Sequence, residues 1–156
     1  MSSVIPGQPL PDFSLPSTSG QDFSPAQVRG KWLVVYFYPK DATPGCTTES
    51  AAFRDLHGEF AAAGAVVVGV SRDSLASHQK FREKLALPFA LLSDADEAVC
   101  RRFDVIREKN MYGKKVMGIE RSTFLIDPEG RLRREWRKVK VDGHAEEVLA
   151  AVRAGG

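Results

Sequence analysis

The chain has 156 residues, 43% of them hydrophobic and 27% charged, which suits one folded domain over residues 1–156 with no need of disulfide or metal staples. No apolar run is long enough to span a membrane, and 22 basic against 20 acidic residues leave a net charge of +2, too weak a field to steer a polyanion. Neither a membrane protein nor a nucleic-acid binder is expected, and the basic run Arg131 to Lys140, with Trp136 inside it, reads as a solvated strand face.

The first thirty residues are turn-rich, with a short helical turn near Pro25 to Val28. Their opening, MSSVIPGQPLPDFSLP, puts no basic region ahead of an apolar block, so a cytoplasmic location is expected rather than secretion. In that compartment Cys46 and Cys100 would not form a permanent disulfide, because the cytosol keeps thiols reduced. WLVVYFYP, Trp32 to Pro39, predicts a strand buried on both faces. A helix is predicted over about Pro44 to Ala63, with Phe53, Leu56 and Phe60 on one face and Gly64 to stop it.

AVVVGVS, Ala65 to Ser71, predicts the next buried strand, and an amphipathic helix with Leu75, Phe81 and Leu85 follows before Pro88. Phe89 to Ser93 is a third strand, and a short helix near Asp96 to Phe103 leads into REKNMYGKKVMGIE, read as a polar loop. STFLID and RLRREW flank the turn Asp127-Pro128-Glu129-Gly130 and predict a hairpin, after which HAEEVLAAVRA closes the chain as a helix. The order βαβα, then βαββα, predicts an α/β protein of thioredoxin-like fold, its mixed central sheet flanked by helices on both faces.

Chemistry concentrates after the first strand. Thr43 stands at the N-cap, Pro44 at the first helical position and Cys46 at the third, among N–H groups that lack intrahelical partners. Those donors and the positive helix end favour a thiolate, the reactive form of cysteine. The plainer reading of Cys46 is a small buried hydrophobe on the face shared with Phe53, and position alone does not separate Thr43 as a cap from Thr43 as a substrate ligand.

Pro39-Lys40-Asp41-Ala42-Thr43-Pro44-Gly45-Cys46 resembles the peroxiredoxin pattern of proline, three residues, threonine, two residues, cysteine. CTTESAAF, the MYGKK loop and RSTFLIDPEG are similar to the bacterioferritin comigratory protein branch, the type-Q peroxiredoxins, from about Pro6 to the last helix. The resemblance implies a peroxidatic Cys46 that attacks hydrogen peroxide or an organic hydroperoxide and becomes a sulfenic acid. It further implies that Thr43 and Arg121 hold the peroxide, that Pro39 shields the site and that Glu49 orients Arg121, although Glu49 also reads as a solvent-facing helix residue. No cofactor is implied, the three histidines and two cysteines show no metal-ligand spacing, and the branch suggests a monomer.

Many members of the branch carry a resolving cysteine five residues after the peroxidatic one, where this chain has Ala51, and SLASHQKFREKLAL on the next long helix has none. Cys100 reads as a packed core residue, with a resolving role as its alternative if the chain unfolds locally. The expected cycle is therefore one-cysteine, with glutathione and glutaredoxin, or thioredoxin, as the external thiol. A thiol–disulfide oxidoreductase is disfavoured because Thr43 occupies the place of a C-x-x-C partner, and a peroxide sensor would share the same first step.

Overall fold

The computed structural model describes residues 4–155, so the expectation for the extreme N-terminus lies partly outside the described residues. Five strands form the central sheet: β1 (Trp32–Phe37), β2 (Ala65–Ser71), β3 (Ala90–Ser93), β6 (Ser122–Ile126) and β7 (Leu132–Trp136). Their spatial order is β3-β2-β1-β6-β7, parallel from β1 through β3 and antiparallel across β1–β6 and β6–β7. The two parallel connections carry helices α1 (Pro44–Asp55), α2 (His57–Ala62) and α3 (Leu75–Leu85), which right-handed crossovers place on one face. α4 (Ala98–Arg102) lies beyond β3, and α5 (His144–Arg153) ends the chain.

Alternation along β1 divides the core in two. Val34, Tyr36 and Tyr38 pack with Phe53, Phe60, Phe81, Val148 and Leu149, a layer built by α1, α2, α3 and α5. Leu33, Val35 and Phe37 pack with Phe103, Phe124, Val105 and the N-terminal residues Leu10, Phe13 and Leu15. The second face is covered by the short helix α4, the helical turn Pro25–Val28 and extended lead-in chain, so helices flank the mixed sheet on both faces as the pattern predicts.

Two elements differ from expectation. The helix predicted from Pro44 to Ala63 breaks at Leu56 (φ −99°, ψ 2°). His57 and Gly58 are weak helix formers, and the break lets both Phe53 and Phe60 bury fully, with ring centroids 5.8 Å apart. The loop predicted from Arg107 to Glu120 is instead largely an antiparallel ribbon, β4 (Ile106–Met111) paired with β5 (Lys114–Ile119). Its turn residues Tyr112 and Gly113 both have positive φ (53° and 78°), the conformation that matches strand twist in a two-residue hairpin.

Candidate active site

The site forms at the C-terminal end of β1, where Tyr38 and Pro39 lead into α1. Thr43 is the N-cap with extended backbone (φ −79°, ψ 153°), but its side chain does not cap the helix. The hydroxyl instead donates to the Lys40 carbonyl at 2.8 Å. That leaves its oxygen lone pairs uncommitted to the helix and able to accept a hydrogen bond. The first helical bond runs from the Thr47 N–H to the Thr43 carbonyl at 2.9 Å, so the N–H groups of Gly45 and Cys46 stand outside the ladder.

Cys46 is fully buried, and Arg121, the residue before β6, donates from Nη2 to its sulfur at 3.5 Å. Nη1 of the same guanidinium donates to Glu49 Oε1 at 2.6 Å. One planar fork thus ties the sulfur to the carboxyl one helical turn further on. The burial of Glu49, at 1% side-chain exposure, removes the solvent-facing reading of that residue. Burial lifts its pKa to about 7 against the pull of Arg121. Gly45 makes room for this fork: a Cβ there would lie 3.0 Å from Arg121 Nη2. Pro39 is half-buried, and Lys109 on β4 is a second cation that senses both Cys46 and Arg121, with burial lowering its pKa.

A buried network that the sequence reading missed fastens the loop before Cys46. Asp41 Oδ2 meets His78 Nδ1 at 2.7 Å and accepts from Ser77 Oγ at 2.8 Å, while Oδ1 accepts from Tyr38 Oη at 2.6 Å. His78 Nε2 lies 2.9 Å from the Leu92 carbonyl, and the Asp41 N–H donates to Asp73 Oδ2 at 2.9 Å. Both ring nitrogens of His78 face acceptors, so the ring donates twice and the pair is ionic. Burial alone would raise the Asp41 pKa, but the hydrogen bonds from His78, Tyr38 and Ser77 outweigh it and the net shift is downward. Asp41, Asp73 and His78 are also spaced closely enough to hold a cation, within 4.8 Å, yet the hydrogen bonds already in place occupy these atoms and make the group a structural latch. Asp41 stood inside the quoted motif, but nothing local links it to His78 on α3.

Cys100 is fully buried on α4 and belongs to the opposite core layer from Cys46, with the sheet between them. Its N–H donates to Asp94 Oδ2 at 2.7 Å, and burial, reinforced by Asp94, pushes its thiol pKa far up. Ala51 sits half-buried on α1. Among the described residues no helix is long and apolar enough to cross a membrane.

The sequence pattern of the AhpC/TSA family matches residues 6–135. The peroxiredoxin Bcp of Xanthomonas campestris is 56% identical over 156 residues, covering 99% of this chain and 98% of the relative, and that of Bacillus subtilis is 52% identical over 147 residues, covering 94% of each. Among solved structures, PrxQ of Xylella fastidiosa superposes with a TM-score of 0.93 at 45% identity over 99% of both chains. Bacterioferritin comigratory protein of X. campestris, studied for alkyl peroxide reduction, superposes at 0.87 with 57% identity over 92% of this chain and 91% of that one. Full-length similarity of this kind, on a thioredoxin-like sheet with a buried cysteine at the first turn of α1, makes the chain a peroxiredoxin of the AhpC/TSA family, in its Bcp/PrxQ branch.

Proposed function

We propose that Cys46 reduces hydrogen peroxide and organic hydroperoxides in a one-cysteine cycle, with Thr43 and Arg121 holding the peroxide, Glu49 orienting Arg121 and Pro39 covering the site. The thiolate sulfur attacks one peroxide oxygen, the S–O bond forms as the O–O bond breaks, and the electron pair leaves on the second oxygen. A guanidinium already in contact with the sulfur stands where that charge develops, and stabilising it is the main service such a site provides. The observation that carries the reading is this Arg121 bridge at the start of α1. The alkyl peroxide activity of the X. campestris relative supports the organic hydroperoxide half of it.

An external thiol then attacks the sulfenic sulfur, forming a mixed disulfide and expelling water, and a second thiol exchanges to free Cys46. Glutathione with glutaredoxin, or thioredoxin, has the required chemistry. Cys100 supports this half of the cycle by its position: to reach Cys46 it would have to leave the core on the far side of the sheet. The test is steady consumption of peroxide with each recycling thiol. Turnover should vanish in Cys46→Ser and persist in Cys100→Ser, whereas a single stoichiometric turnover with every reductant would favour a peroxide sensor.

A further inference from the structure

Three ionisable groups meet at the start of α1: the Cys46 thiol, the Arg121 guanidinium and the Glu49 carboxyl. Arg121 reaches both of the others, through Nη2 to sulfur and through Nη1 to Glu49 Oε1. Glu49 Oε2 is buried and has no hydrogen-bond partner among the described residues. An ionised carboxylate with one oxygen buried and unmatched is costly, and a protonated one is far less so. With both Cys46 and Glu49 ionised, two anions one helical turn apart would divide a single guanidinium in a dry site. Close anions in such a site do not both give up their protons.

We propose that Cys46 and Glu49 share one proton across Arg121, and that the state which attacks peroxide pairs a Cys46 thiolate with a protonated Glu49. This rests on the peroxidase reading above and assigns Glu49 a second duty besides orienting Arg121. The pKa of about 7 that burial gives Glu49 agrees with a carboxyl that keeps its proton near neutrality. Other groups around the cluster leave this arithmetic unchanged. Tyr36 on β1 is held protonated by burial, and His144 on α5 is held neutral by burial. Lys109 on β4 interacts with Cys46 and Arg121, which favours the thiolate member of the pair.

The balance closes without an outside reagent. Cys46–SH and Glu49–COO⁻ become Cys46–S⁻ and Glu49–COOH by transfer of one proton. After attack the sulfur is a neutral sulfenic acid and the departing oxygen needs one proton to leave as alcohol or water. Glu49 gives up its proton at that stage and takes over as the sole anion beside Arg121. The guanidinium therefore faces one anion before the step and one after it, so no buried charge is stranded.

The test compares wild type with Glu49→Gln, whose amide mimics the protonated acid, with hydrogen peroxide as the probe. Expected is a single-step thiolate titration in Glu49→Gln, shifted to lower pH than the broadened titration of wild type, together with a slower peroxide reaction, because the amide has no proton to give the departing oxygen. Infrared difference spectra at pH 7 should show a protonated-carboxyl band in wild type that is absent in Glu49→Gln and is lost when Cys46 is alkylated. An unshifted thiolate titration in Glu49→Gln, whatever the rate, would instead mean that Cys46 and Glu49 hold their protons independently and that the carboxylate serves only to orient Arg121, overturning the proposal. Absence of the carboxyl band in wild type would overturn it as well. The infrared arm uses no peroxide, so it can fail while the peroxidase reading stands; loss of peroxide reduction in wild type would sink that reading alone.

Discussion

Replacing His78 with alanine breaks the latch that holds the active-site loop, and its cost can be worked from the contacts. The ring is fully buried, meets Asp41 Oδ2 at 2.7 Å and donates to the Leu92 carbonyl at 2.9 Å. Removing one partner of a buried ion pair costs about 3–5 kcal/mol, and the stranded Leu92 carbonyl adds about 1 kcal/mol. Asp41 keeps its Tyr38 and Ser77 donors, which offset part of the loss, so a net of about 3 kcal/mol is expected. With a urea m-value of about 2 kcal/mol/M, the midpoint should fall by about 1.5 M at unchanged slope. Ser77→Ala, which removes one donor from a carboxylate that retains two, should cost about 1 kcal/mol or less. A His78→Ala midpoint within about 0.3 M of wild type would refute the ionic latch. The same variant should slow peroxide reduction by loosening the Asp41 to Thr43 loop and speed the attack of external thiol on the buried Cys46 sulfur.

Arg121→Lys should lower kcat/KM for peroxide by about a hundredfold, because an ammonium cannot span Glu49 and Cys46 as the fork does; a loss below about threefold would remove Arg121 from the transition state. pH dependence of stability follows from two buried groups of opposite sign. Burial lowers His144 to about 4, below its unfolded value near 6.5, so the native state binds fewer protons and this residue costs stability as pH falls through that window. Glu49 is raised to about 7, above its unfolded value near 4.5, and contributes stability as pH falls from 7 to 4.5. His144→Asn should therefore gain stability relative to wild type on acidification from pH 7.5 to 5.5, read as the difference in urea midpoints. A difference independent of pH would contradict the neutral, buried assignment. Asp41, held low, acts at more acid pH: its contribution is complete above the usual carboxylate range and is lost as pH falls through its native value.

The strands of the central sheet were legible because their apolar runs are continuous and bounded by glycine, proline or turn residues, as at Trp32–Phe37 and Ala65–Ser71. The β4–β5 ribbon was not, since Arg107 to Asn110 carry no apolar alternation; two strands standing apart from the main sheet have almost no buried face to write into the sequence. The placement of Thr43 and Cys46 at the start of α1 was readable from helix-start chemistry, whereas the roles expected of Thr43 and Arg121 came from resemblance. What helix-start chemistry could not supply was that Gly45 leaves space for the guanidinium, or that Glu49 is buried. The latch was invisible because its parts come from the β1 end, α3 and β3, and only the folded sheet brings them together. The separation of Cys46 and Cys100 likewise depends on which sheet face each helix covers, and a sequence spacing does not state that.

The central claim, that Cys46 alone carries the oxidation, is tested most directly by the intact mass of the reduced protein after one equivalent of hydrogen peroxide. The account predicts a gain of one oxygen that is absent in Cys46→Ser and unchanged in Cys100→Ser, replaced by a glutathione adduct at Cys46 when glutathione is present. A loss of two hydrogens in wild type that disappears in Cys100→Ser would contradict it, because it would mean that the two cysteines meet across the sheet during the cycle.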